Sequence, residues 1–99
     1  MNPAEIANQK EIDQDILYYV REMQRMAQIL AESIHSFLTV TRRRRMTTKE
    51  VQDRLDYLVS AALLKEHKEF QGGEFLHYRI TATGMDVLDG AIPPRNWKP

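Results

Sequence analysis

Between Pro3 and Gly72 the chain contains neither proline nor glycine, and at Gly72-Gly73 two glycines fall together. These residue types are the strongest local breakers, proline because it lacks an N–H and clashes within a helix, glycine because its backbone is so free. The uninterrupted stretch is therefore predicted to be mostly helical, and the glycine pair to mark a change of structure.

Hydrophobic periodicity divides that stretch. Ile12, Ile16, Tyr19, Val20 and Met23 recur at spacings of three and four, with Glu11, Asp13 and Asp15 near the positive end of the helix dipole, which predicts a helix over roughly residues 11–24. Met26, Ile29, Leu30, Ile34, Phe37 and Leu38 continue the period into a second helix, which the β-branched run Thr39-Val40-Thr41 should end. No breaker separates the two. Ile12, Ile16, Tyr19, Met23, Met26 and Leu30 alternate spacings of four and three as a heptad seam does, so one long helix that favours a dimer is the alternative. The third helix has the clearest start, since Thr47-Thr48-Lys49-Glu50 fits a capping box in which hydroxyl and carboxylate each satisfy an orphan amide. Val51, Leu55, Leu58 and Ala62 then share one stripe with Leu63 beside it, and Lys49, Gln52, Asp53, Asp56 and Ser60 point the other way.

After Leu64 the period changes. Residues 65–70 and 75–80 flank the glycine pair, which tolerates the positive φ of a tight turn, and so read as two antiparallel strands. Thr81 caps a short helix, Ala82 to Leu88, Gly90 stops it, and the residues after Ile92, with Pro93 and Pro94, form an extended tail. Trp97 in that tail either packs back on the core or belongs to a partner-binding peptide. The organisation expected is an extension over residues 1–10, one domain over 11–89 and a Pro-rich tail over 90–99.

Composition narrows the function. With no cysteine among 99 residues, disulfides, zinc ribbons and thiol catalysis are excluded. There is no Gly-rich phosphate loop, no Gly-x-Ser-x-Gly and no histidine spaced with a nucleophile, so no enzyme and no cofactor is expected. His35, His67 and His77 are too scattered for a metal motif. No apolar run approaches the length of a membrane span and no leader is visible, so a cytoplasmic protein is expected.

Net charge is zero but unevenly spread: residues 1–40 carry 3 basic and 6 acidic side chains, residues 41–69 carry 8 and 5, and residues 70–99 carry 3 and 3. Arg42, Arg43, Arg44 and Arg45 create the central excess. Any nucleic-acid partner would be met by one face, without help from a globally cationic molecule.

The order of helix, helix, helix, two-stranded hairpin and closing helix, an α+β and mostly helical arrangement, resembles a winged helix-turn-helix domain. The run from Thr47 to Leu64 resembles the recognition helix of bacterial regulators of the MarR, ArsR and PadR type, with Val51, Leu55 and Leu58 at its core positions. Tyr78-Arg79-Ile80-Thr81-Ala82-Thr83-Gly84 resembles their second wing strand and following cap, and the likeness covers roughly residues 12–89. It implies a DNA-binding transcriptional regulator acting as a homodimer on double-stranded DNA. Thr47, Thr48, Lys49 and Gln52 would meet phosphates and base edges, and Lys68, Gln71 and Arg79 of the wing would reach an adjacent groove or backbone. A solvated hairpin is the plainer reading of those wing residues.

Two departures stand out. Ala62 replaces the glycine usual before the closing apolar pair, so the helix is expected to run on. A stretch of eleven residues, Ser36 to Met46, stands where the family has a short turn, and it contains the four arginines. Guanidinium binds phosphate bidentately, and four in succession repel each other unless an anion compensates, so Arg42, Arg43, Arg44 and Arg45 are expected to hold DNA phosphates. The competing readings are a solvated loop, pairing with Glu50, Asp53 or Asp56, and a nuclear localisation signal. Asp53 and Asp56 on the exposed face oppose DNA, so the alternative function is a protein–protein interaction module or adaptor within a nucleoprotein complex.

Overall fold

The computed structural model describes residues 2–69 and 75–90. Helix α1 spans Pro3–Met23, helix α2 spans Ala31–Ser36 and widens into a π-helical turn over Phe37–Thr41, and helix α3 spans Thr48–Ser60. Strands β1, Leu64–Glu69, and β2, Phe75–Ile80, form an antiparallel pair, and helix α4, Ala82–Leu88, follows. This is the order expected from the sequence.

Helix α1 starts at Pro3, nine residues before its apolar period begins at Ile12. Asn2 caps it, its Oδ1 accepting from the Glu5 amide at 2.9 Å, and Pro3 occupies the first turn, where the missing N–H costs nothing. The start is therefore set by local capping chemistry, to which a count of apolar residues is blind. Its inner face buries Ile12, Ile16, Leu17 and Val20 against Ile34, Leu38, Val51, Leu55 and Leu58.

The single long helix does not form, and the second helix does not begin at Met26. Helix α1 closes at Gln24, and Met26 is exposed. The intervening residues serve the sheet instead. Strand β2 has an outer edge that β1 leaves unpaired, and the Ile29 carbonyl accepts from the Tyr78 amide at 2.8 Å, while Gln24 Oε1 accepts from the Ile80 amide at 3.0 Å. Buried edge amides are costly when unpaired, so this long-range demand outweighs the local helical period.

The capping box at Thr47 is present in both directions: Thr47 Oγ1 accepts from the Glu50 amide at 3.1 Å and the Thr47 amide donates to Glu50 Oε1 at 2.8 Å. The far end of α3 corrects an expectation, because the helix stops at Ser60 and Ala62, exposed and off the apolar stripe, takes a left-handed φ of 61°. Its amide donates to Val59 O at 3.0 Å and that of Leu63 to Leu58 O at 2.9 Å, the paired bonds of a Schellman cap. Burying Leu63 and Leu64 requires the chain to reverse there, whether or not glycine is present. A left-handed alanine costs roughly 1–2 kcal/mol, so Ala62→Gly is expected to stabilise the domain by about 1 kcal/mol in urea unfolding once the greater chain entropy of glycine is subtracted. A loss of stability would show that the cap is not under strain.

Candidate nucleic-acid interface

The arginine tract lies closer to α3 than its sequence address suggests. Helical structure persists to Thr41, so only Arg42 to Met46 join it to the Thr47 cap, and five of the eleven expected extension residues belong to the π turn. That turn closes through Arg42 N–H to Phe37 O at 3.2 Å and Arg44 N–H to Leu38 O at 2.9 Å, with Arg43 between them at a left-handed φ of 53°. At the other end of the connection the His35 ring N–H donates to Met46 O at 2.8 Å, tying it to α2.

This backbone course sorts the arginines. Arg44 lies against α1, donating from Nε and Nη2 to Asp15 Oδ2 at 3.0 and 2.9 Å, with Asn8 Oδ1 at 3.3 Å and Glu11 Oε2 at 3.8 Å. Arg42 approaches the same Asp15 at 3.4 Å and lies over the rings of Phe37 and Tyr18, at 5.4 and 5.9 Å. Arg43 and Arg45 are exposed and form no ion pair or side-chain hydrogen bond among the described residues. The expected partners Glu50, Asp53 and Asp56 are not used; the carboxylates come from α1. The sequence signal was Glu11 and Asp15 at i, i+4, one acidic pair on the side of α1 away from the core.

On α3 the predicted contact residues Thr47, Thr48 and Lys49 are exposed, and Lys49 Nζ reaches Asp53 Oδ2 at 3.5 Å. Gln52 is half-buried, donating from Nε2 to Asp56 Oδ1 at 3.0 Å and to Tyr78 Oη at 3.1 Å. Sequence reasoning did not foresee that a wing tyrosine would touch α3. Glu66 and Lys68 of β1 share the inner face of the hairpin with Tyr78, whereas Lys65 and Arg79 stand directly opposite one another on the outer face, ahead of the stacked rings of His67 and His77 at 5.2 Å. Lys68 and Arg79 are exposed; Gln71 lies outside the described residues. The structure thus brings the arginines next to the start of α3 and joins Gln52 to the wing.

Two phenols feel this environment. The Tyr78 hydroxyl is raised above its ordinary value of 10.0, chiefly by burial, with Glu66 and Asp56 pushing the same way and the Gln52 hydrogen bond opposing; Tyr57 is raised by burial and by Asp13, against Arg54. A raised pKa means that the folded state holds the proton more tightly. The associated stability is fully present below the unfolded value and is lost as pH rises through the folded one. Thermal melts are therefore expected to show a fall above pH about 10 that Tyr78→Phe makes shallower; an identical fall in that variant would assign it elsewhere.

Beneath this surface Asp13 of α1 and Arg54 of α3 form a forked pair, Nε to Oδ1 at 2.9 Å and Nη2 to Oδ2 at 2.5 Å, with Asp13 fully buried and the guanidinium 4.5 Å from the Tyr57 ring centre. It fixes the two helices against each other and so sets where the arginine tract sits relative to α3. Among the described residues no group of three or more His, Asp or Glu is placed to hold a metal ion, and no helix is long and apolar enough to cross a membrane.

No protein-family model matches the sequence, and no curated protein matches it. Among solved structures, the chain is similar to a PadR family transcription regulator from hypervirulent Clostridium difficile R20291, with 20% identity over 87% of this chain and 85% of that one, at a TM-score of 0.66. The fold is therefore a winged helix of the kind that PadR-type regulators have.

Proposed function

We propose that this winged-helix protein is a DNA-binding transcriptional regulator, cytoplasmic and homodimeric, that places α3 in a major groove and holds phosphates with Arg43, Arg45 and the wing. The observation that carries the reading is the division of the tract. Arg42 and Arg44 are spent on Asp15, while Arg43 and Arg45 remain exposed within a few residues of the α3 cap. The anchored pair positions the exposed pair, and Arg43 keeps a strained φ that a glycine would take freely. Support also comes from the fold, which this chain shares with a transcription regulator.

Fluorescence anisotropy with mixed-sequence duplex DNA tests it. The double variant Arg43→Ala/Arg45→Ala is expected to bind more weakly, and the slope of log K against log salt to shrink by about 0.9 for each lost phosphate contact. Unchanged affinity and slope would remove the arginines from the interface. The exposed carboxylates Asp53 and Asp56 favour a second reading, an adaptor that binds a protein partner through the acidic side of α3. Failure to bind any duplex at low salt, together with a stable protein complex abolished by Asp53→Asn/Asp56→Asn, would establish that reading instead.

A further inference from the structure

Helix α3 presents an exposed stripe of Thr48, Asp56 and Ser60 with the half-buried Gln52 among them, flanked by Lys49 and Asp53. What this stripe offers a ligand is set by Gln52. Both hydrogens of its Nε2 are committed, one to Asp56 Oδ1 and one to Tyr78 Oη. Its Oε1 takes no hydrogen bond among the described residues and is not one of their fully buried, unpartnered oxygens, so it keeps some access to solvent. The amide is held this way round, since turning it over would press Oε1 against the Asp56 carboxylate. Asp53 and Asp56 add further acceptors, and the one cation of the stripe, Lys49, leans on Asp53.

Resting on the DNA-binding reading above, we propose that α3 recognises amino-bearing bases: Gln52 Oε1 accepts from cytosine N4 or adenine N6 and excludes guanine and thymine at that position. In the major groove cytosine and adenine present an amino donor, whereas guanine O6 and thymine O4 are acceptors that would face another acceptor. A glutamine with both ends free takes adenine bidentately through N6 and N7. Asp56 and Tyr78 together prevent that, because they take both N–H groups and leave none for N7. The wing tyrosine is thus a positioning residue that broadens the choice of α3 from adenine to adenine or cytosine.

Selection of binding sites from a random duplex pool, with each variant's folding checked by thermal melting, tests the idea. The wild type is expected to select a position that accepts cytosine or adenine. Gln52→Ala should lose preference at that position while keeping the others, and Tyr78→Phe should narrow it to adenine by about tenfold over cytosine, the gain of a second hydrogen bond. If Tyr78→Phe does not fold, the wild type alone decides: replacing adenine there by 7-deazaadenine, which lacks N7, should leave affinity unchanged. A Gln52-dependent preference for guanine or thymine, an unaltered profile in Gln52→Ala, or loss of binding on 7-deazaadenine would each overturn the proposal. A pool that binds without any Gln52-dependent position overturns this inference alone, whereas a pool that fails to bind at low salt overturns the DNA-binding reading and this one with it.

Discussion

Replacing Arg54 by methionine is expected to destabilise the domain by about 3–5 kcal/mol, the usual cost of breaking a buried ion pair by removing one member. Asp13 is fully buried and Arg54 nearly so, with a side chain 13% exposed. Methionine fills much of the arginine stem's volume and retains contact with Tyr57, so the loss isolates the charge from the packing. A domain of this size has roughly 5–15 kcal/mol of stability in total, so the variant should unfold at markedly lower urea and be partly unfolded when warm. The double variant Asp13→Leu/Arg54→Met should recover most of the loss, because two apolar groups of similar volume remove the desolvation cost along with the attraction. Urea melts of the three proteins measure both effects. A single variant less than about 1 kcal/mol below wild type would show that Asp13 draws its compensation from other groups, the range that separates a surface ion pair from a buried one.

Gly84→Ala is the second large effect, and its origin is steric. Gly84 sits in the first turn of α4, its amide donating to the Thr81 cap at 2.9 Å. A Cβ there would lie 2.2 Å from the Leu63 carbonyl oxygen and 2.8 Å from Ile80 Cγ1. The nearer atom is backbone, and the same carbonyl accepts from the Thr81 amide at 3.2 Å, so it cannot move without opening the junction of α3, β2 and α4. Overpacking of this kind costs about 3 kcal/mol, offset by about 1 kcal/mol because alanine is the better helix former, which leaves a net loss of roughly 2 kcal/mol. Thermal unfolding checks this directly, and a stabilised variant would show that α4 can shift away from the sheet.

These two positions also show how much of the molecule the sequence discloses. Asp13 falls on the same stripe of α1 as Ile16, Leu17 and Val20, and Arg54 on the same stripe of α3 as Val51, Leu55 and Leu58. One carboxylate and one guanidinium, each set within an apolar stripe, are the residues that two packed helices would pair. That signal is legible only when the two helices are considered together. Gly84 has no local turn that demands glycine, and the clash that requires it involves Leu63, twenty-one residues away in sequence. The left-handed Ala62 is of the same kind, since its conformation follows from burying the two leucines after it and not from its own preference.

The candidate interface divides along the same line. That arginines stand near the start of a capped helix follows from residue order alone. Which arginines are exposed does not, because Asp15 and Glu11 lie roughly thirty residues earlier and come alongside only when α1 packs on the π turn. In the same way Gln52 reads from sequence as a free polar side chain, and becomes one-sided through Tyr78, twenty-six residues later.

What the sequence determined by itself was governed by neighbours within about one helical turn: the capping box at Thr47, the apolar stripes and the alternation of the hairpin strands. These suffice for the element order and the winged-helix fold. The tertiary structure decided what depends on partners far along the chain. It drew Gln24 and Ile29 onto the edge of β2, made Ala62 adopt a glycine's conformation, and divided the arginines into two anchored on α1 and two left exposed. The physical reason is one of range: torsional preferences and caps act over a few residues, whereas burial and charge pairing act through space, wherever packing brings the groups together.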